Sequence, residues 1–170
     1  MIWTLVLIGT FIIMEGMAWF SHKYIMHGFL WSLHKDHHNK DHDSWFERND
    51  AFFIFYAVLS MTCFYLWGEQ NMWYCLPIGI GIMAYGLAYF IVHDIFIHQR
   101  FKWLRNIDNK YARGVRRAHK IHHKHLGRNK GENFGMLIVP KNILNRINRN
   151  RVFVFSFKNF NILYRLVCYK

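Results

Sequence analysis

A chain of 170 residues that is 53% apolar has room for one domain and none for a separate soluble regulatory one. Its 22 Lys and Arg outweigh 10 Asp and Glu, yet no basic residue falls in 1–20 or 51–92. That segregation is the charge bias of a membrane protein and argues against nucleic acid as the partner of the basic residues.

The first apolar run, Ile2 to Phe20, is about 19 residues long, enough at about 1.5 Å per residue to cross a hydrocarbon core of about 30 Å. It has no basic leader and no small-residue cleavage site, and it contains Glu15, so it reads as a membrane helix and not as a cleaved signal. The second run, Ala51 to Trp67, is short but rich in aromatic rings that extend its reach into the interfaces. The third, Met72 to Val92, holds Pro77, Gly79, Gly81 and Gly86, residues that bend helices or let them approach closely in lipid. Gly68-Glu69-Gln70-Asn71 joins the second and third runs into a hairpin. Residues 141–170 contain seven basic residues, six aromatics and no acid, and read as an interfacial extension to which no role is assigned. Cys63, Cys75 and Cys168 are too scattered for a disulfide framework or a CxxC metal site.

The expected fold is all-α: an integral-membrane bundle of about three transmembrane helices (2–20, 51–67 and 72–92) with a cytoplasmic helical cap carrying a histidine-rich di-metal site. Residues 1–140 form the membrane domain in this reading. Three crossings put 21–50 and 93–170 on one side of the bilayer, and with them all 12 histidines and all 22 basic residues. Basic residues stay on the cytoplasmic side during insertion, so that side is expected to be the cytoplasm.

The histidines repeat a pattern. His22, His27, His34, His37 and His38 follow the first span as HX4HX6HXXHH, and His93, His98, His119, His122 and His123 follow the third as HX4HX20HXXHH. In HXXHH, offsets of three and four place imidazoles one helical turn apart on one face, where they reach one metal or two adjacent ones. An offset of five is about 140° on a regular α-helix. The pairs His22/His27 and His93/His98 therefore either serve two ions or sit on a locally distorted helix, and Gly28 offers a break after His27. Ten imidazoles exceed the needs of one ion and suit two, and neutral imidazole favours Fe, Zn, Cu or Ni over Mg or Ca. His42 and His125 fall outside the pattern and read as surface or supporting residues.

Carboxylates beside such a cage can fix imidazole tautomers. Asp36 and Asp94 are the nearest in sequence, with Asp41 and Asp43 close by. Glu15 lies seven residues before His22, on the same helix face and two turns deeper. An acid inside a span is a functional candidate by default.

The histidine pattern and its surroundings resemble the fatty acid hydroxylase/sterol desaturase superfamily, and within it the bacterial β-carotene hydroxylases. The matching text is Glu15 with Ala18-Trp19, the run from His22 to Gly28, Trp31, the run from His93 to Arg100, Arg117-Ala118-His119 through His123, and Phe134-Gly135 with Pro140. The resemblance implies an enzyme of the bacterial inner membrane with two Fe ions held by the ten histidines. It also implies O2-dependent hydroxylation at C3 of the β-ionone rings of β-carotene, through β-cryptoxanthin to zeaxanthin. Electrons would come from a ferredoxin-type donor supplied by NAD(P)H. Attack on an unactivated C–H bond requires redox chemistry that zinc cannot supply, which favours iron. A sterol, a fatty acyl chain or C4 of the same ring would suit the same spacing, because pocket shape decides the substrate. A histidine-rich metal transporter is a weaker alternative, since transporter ligands cluster at mid-membrane and these lie beyond the span ends.

Overall fold

The computed structural model describes residues 1–40, 42–129 and 131–147. Asp41, Cys168 and most of the basic extension lie outside the described residues, within which every regular element is helical. Helix α1 (Ile2–Phe20) has the expected limits, but it does not stop there: the chain continues as a π-helical segment over Ser21–Phe29, with a kink at Gly28. Helix α2 (Trp31–His38) carries the first HXXHH. Helix α3 (Asp50–Gln70) runs past the expected end at Trp67, because Gly68, Glu69 and Gln70 stay helical. It ends where Asn71 enters the left-handed region at φ 53° and closes its N–H onto Leu66 O.

Helix α4 (Cys75–Phe90) starts later than the expected Met72, because residues 72–74 make the turn out of α3. It too passes into a π-helical segment, Ile91–Ile97. Helix α5 (Lys110–His123) carries the second HXXHH; it begins at Asn109, whose side-chain oxygen accepts the Ala112 N–H at 2.8 Å, a cap for an otherwise unpartnered donor.

α4 lies between α1 and α3 and packs on both. The close approach is made by glycines on its two sides. A Cβ on Gly81 would stand 2.7 Å from Thr10 Cβ and 3.0 Å from Leu7 O on α1, and one on Gly79 would stand 2.7 Å from the Phe64 ring on α3. Ser60 adds a hydrogen bond across the second contact, its hydroxyl donating to Gly79 O at 2.8 Å. With no hydrophobic drive between helices in lipid, such small-residue contacts and interhelical hydrogen bonds hold the bundle.

Inside the bundle Met14, Ile82 and Tyr85 form the buried apolar cluster, while Leu5, Ile12, Phe55, Met61 and Leu87 point outward and are exposed. An outward face of that kind fits hydrocarbon, and three helices are long and apolar enough to cross it: Ile2–Phe29, Asp50–Gln70 and Cys75–Ile97. The protein is an integral-membrane helical bundle. A second cluster joins Ala118 of α5 to Ile143 and Ile147, so the first residues beyond 140 pack against the helix that carries the second HXXHH.

Gly81→Ala is expected to destabilise the bundle by about 1–3 kcal/mol, because the new methyl meets backbone and a β-branched side chain. Gly86→Ala, whose nearest neighbour would be Phe53 at 3.9 Å, is expected to be neutral. Thermal unfolding of the two variants in detergent checks this, and equal stability would contradict the packing described.

Candidate metal centre

The two π-helical segments resolve the five-residue offsets. In a π-helix the backbone bonds i to i+5, as where His98 N–H donates to His93 O at 2.9 Å, so residues five apart lie on one face. His22 and His27 thereby point the same way, as do His93 and His98. Of the two alternatives left open by the spacing, the locally distorted helix is the one adopted, and neither pair is divided between two sites. The break foreseen after His27 is the kink at Gly28.

The side chains then converge in two groups. Group A consists of His22, His27, His34, His38 and His122, and group B of His37, His93, His98 and His119, each with donor nitrogens within 4.8 Å of one another. Each group borrows one imidazole from the other half of the chain: α5 sends His122 to group A, and α2 sends His37 to group B. The three- and four-residue offsets of HXXHH make this possible, since His34 and His38 share a face while His37 points aside. His123 stands against both groups, its ring centroid 4.4 Å from that of His119 and 4.6 Å from that of His38. Its Nε2 is buried without a hydrogen-bond partner.

The Nε2 atoms meet at short range. In group A, His22 and His34 approach to 3.1 Å, His34 and His38 to 3.2 Å, His38 and His122 to 3.1 Å, and His27 and His122 to 3.2 Å. In group B, His37 and His93 approach to 3.1 Å and His98 and His119 to 2.8 Å. Mutual hydrogen bonding does not account for the contacts between His22 and His34 or between His27 and His122. The Nδ1 of His22 lies 3.0 Å from Phe134 O, that of His27 3.0 Å from Arg128 O, that of His122 2.9 Å from Glu132 O, and that of His34 2.7 Å from Asn49 Oδ1.

Carbonyl oxygens only accept, so the hydrogen-bond network assigns the proton to Nδ1 of these four histidines and leaves a lone pair on each of their Nε2 atoms. Lone pairs gathered at this distance repel unless a cation lies among them. Two imidazole nitrogens bound at right angles to one first-row metal at about 2.1 Å would stand about 3.0 Å apart, so the residues present fit such an ion.

The protonation states agree. Burial, then the neighbouring imidazoles, holds His37 and His119 well below the usual histidine range. Burial chiefly takes His38, His122 and His123 down to about 3. Neutral imidazole is the form that binds metal.

Group B is oriented differently from group A. His37 Nδ1 donates to Glu47 Oε2 at 2.8 Å, and Asp94 Oδ2 lies 3.3 Å from His93 Nδ1. Arg100 ties these acids together, with Nη2 3.1 Å from Glu47 and 2.9 Å from Asp50, and Nε 3.0 Å from Asp94. Asp94 thus sits beside a group member, as its sequence position suggests.

Asp36 does not. Its Oδ2 accepts the Arg48 N–H at 2.7 Å and faces His42 Nε2 at 3.3 Å, so it ties α2 to residues 42 and 48. Asp43 is exposed, and Asp41 lies outside the described residues. Glu15 touches no histidine; it accepts from Tyr85 O–H and from the N–H groups of Met136, Leu137 and Ile138. Sequence reasoning missed Glu47 and Asn49 as imidazole partners. The available signal was a cluster of polar residues, Glu47 to Asp50, abutting the second span, where a purely topological role would need none.

An apolar cavity of about 400 Å³ opens between α1, α3 and α4, with Phe53, Ile82 and Tyr85 among its walls. His22 of group A and His93 of group B both line it.

This chain belongs to the fatty acid hydroxylase family, which it matches over residues 7–142. Among characterised proteins it is similar to a β-carotene hydroxylase of Pantoea ananas, with 42% identity over 141 residues covering 82% of this chain and 79% of that one. It is 38% identical to the β-carotene hydroxylase of a Paracoccus species, across 80% of this chain and 83% of the relative. Similarity extends to plants: β-carotene 3-hydroxylase 2 of Arabidopsis thaliana is 34% identical over 80% of this chain and 45% of its own length. No solved structure matches the chain significantly.

Because burial holds His38, His122 and His123 far below their unfolded value of about 6.5, the native cluster holds fewer protons than the unfolded chain in between. Stability and metal retention are therefore full above pH about 6.5 and fall away as pH drops toward 3. Equilibrium dialysis across that range measures it; metal retained undiminished at pH about 4 would contradict the buried-imidazole origin of the site.

Proposed function

We propose that the protein is a β-carotene hydroxylase that inserts one oxygen atom of O2 at C3 of a β-ionone ring, giving β-cryptoxanthin and, at the second ring, zeaxanthin. The observation that carries this reading is that two convergent imidazole groups each contribute a histidine, His22 and His93, to the lining of an apolar cavity within a membrane bundle. Membership of a family in which di-iron chemistry is typical, and relatives named for β-carotene hydroxylation, supply the substrate.

In this reading His22, His27, His34, His38 and His122 hold one iron, and His37, His93, His98, His119 and His123 the other. The iron pair, when bound, supplies the oxidising power that an unactivated C–H bond demands. The chain's own residues do the rest. The apolar walls Phe53, Ile82 and Tyr85 accept a ring that enters sideways from lipid and exclude water from it. Carbonyl oxygens and Glu47 hold the imidazoles by Nδ1, and Arg100 holds the acids.

Each turnover consumes one O2, two electrons and two protons, and yields the alcohol and one water. The electrons come from a ferredoxin-type donor on the side where the basic residues lie, which the positive-inside rule makes the cytoplasm of a bacterial inner membrane.

Expression in a β-carotene-accumulating bacterium, with pigments separated by chromatography, tests the proposal. Zeaxanthin and β-cryptoxanthin are expected, and replacement of His37 or His122 by Ala is expected to abolish both. Canthaxanthin would point to oxidation at C4 instead, and unchanged β-carotene beside well-inserted protein would contradict the reading.

A further inference from the structure

Irregular backbone at membrane depth is stable only where its polar groups find partners. Residues 131–138 have no helix or strand, yet they reach down to Glu15, two helical turns below His22. Three successive N–H groups, of Met136, Leu137 and Ile138, donate to Glu15 Oε1 at 3.0 Å each, and Leu137 also faces Oε2 at 3.1 Å. Successive backbone N–H groups of this kind make a nest for an anion. Tyr85 O–H donates to Oε2 at 2.7 Å, so only donors surround the carboxylate. Gly135 lets the two approach closely, since a Cβ there would stand 3.2 Å from Glu15 Oε1 and push it by a few tenths of an ångström.

The other end of this strap holds group A. Phe134 O accepts from His22 Nδ1 and Glu132 O from His122 Nδ1, and Asn133 makes the turn between them at φ 58°. The Phe134 ring packs edge-on against His22, His27 and His122, with centroids 5.4, 5.2 and 5.3 Å away. All three belong to group A. The histidines of group B are oriented instead by Glu47 and Asp94 through Arg100, and the strap does not enter that network.

We propose that Glu15 is a positioning residue for one metal site only: by anchoring the 131–138 strap it sets the Nδ1 acceptors of His22 and His122, and so the geometry and affinity of group A, while group B is independent of it. The inference rests on reading the two groups as metal sites. Outer partners of this sort change metal affinity by about 10- to 100-fold when removed.

The test is anaerobic titration of the full-length chain in detergent with iron(II), counting iron per chain and recording the Mössbauer spectrum. Glu15→Leu is the informative variant, since it removes the anchor while favouring membrane insertion. Two binding steps are expected in the unaltered chain, with one of them weakened about 10- to 100-fold in Glu15→Leu and the other unchanged. Glu15→Gln keeps a carbonyl oxygen for the three N–H groups and is expected to restore most of the lost affinity. Gly135→Val lifts the strap without touching α1 and is expected to weaken the same step. Two unchanged steps in Glu15→Leu, or equal weakening of both, would overturn the assignment. An unaltered chain that binds fewer than two irons would instead remove the reading beneath it, and the assignment with it.

Discussion

The whole arrangement depends on a change of helical pitch where two membrane helices leave the bundle. A regular α-helix would send His22 and His27, and likewise His93 and His98, to different sides. The π-helical segments Ser21–Phe29 and Ile91–Ile97 bring each pair onto one face. A π-helix is a costly conformation that occurs mostly as short interruptions, frequently at functional sites. Here it occurs twice, at matched positions, and each time it aims two imidazoles at a point that a helix from the cap completes. The lone pairs gathered there make the metal-free arrangement electrostatically unfavourable, so the distortion and the demand for a cation belong together.

Around that core the protein builds two unlike supports. Group A hangs from neutral acceptors: the carbonyls of Arg128, Glu132 and Phe134 and the amide of Asn49. Group B leans on the carboxylates of Glu47 and Asp94, which share Arg100. Carboxylate partners raise the basicity of an imidazole more than carbonyls do. The two positions are therefore electronically inequivalent even though every donor is a histidine. His37 and His122, each placed in the other half's group, lock the halves together, so neither group can form without both α2 and α5 in place.

Much of this was legible in the sequence, and the limits are instructive. The three helices that can span a membrane and the nine histidines that converge in two groups follow from apolar run lengths and from spacing, while His123, expected with them, stands beside both groups. The offsets of five admitted two explanations because α-helical geometry was the only template in hand; hydropathy carries no sign of a π-turn. The end of α3 moved because Gly68, Glu69 and Gln70 lie where a hydropathy window stops but hydrogen bonding does not, and the start of α4 moved because the apolar residues 72–74 make the turn. Asp36 adjoins the grouped histidines in sequence yet pairs with the Arg48 N–H and His42. Glu15 was noticeable as an acid in a span, but its partners lie at 136–138, and a contact across more than a hundred residues of chain leaves no local signature. The carbonyl acceptors were invisible in principle, since every residue has one.

The proposed function requires that these ten imidazoles enclose two neighbouring iron ions and not one. Anomalous diffraction at the iron absorption edge, from crystals of the purified chain, tests it most directly. Two peaks are predicted, one within bonding distance of the Nε2 atoms of His22, His34, His38 and His122, the other within bonding distance of those of His37, His93, His98 and His119. A single peak, or density that responds only at the zinc edge, would contradict it.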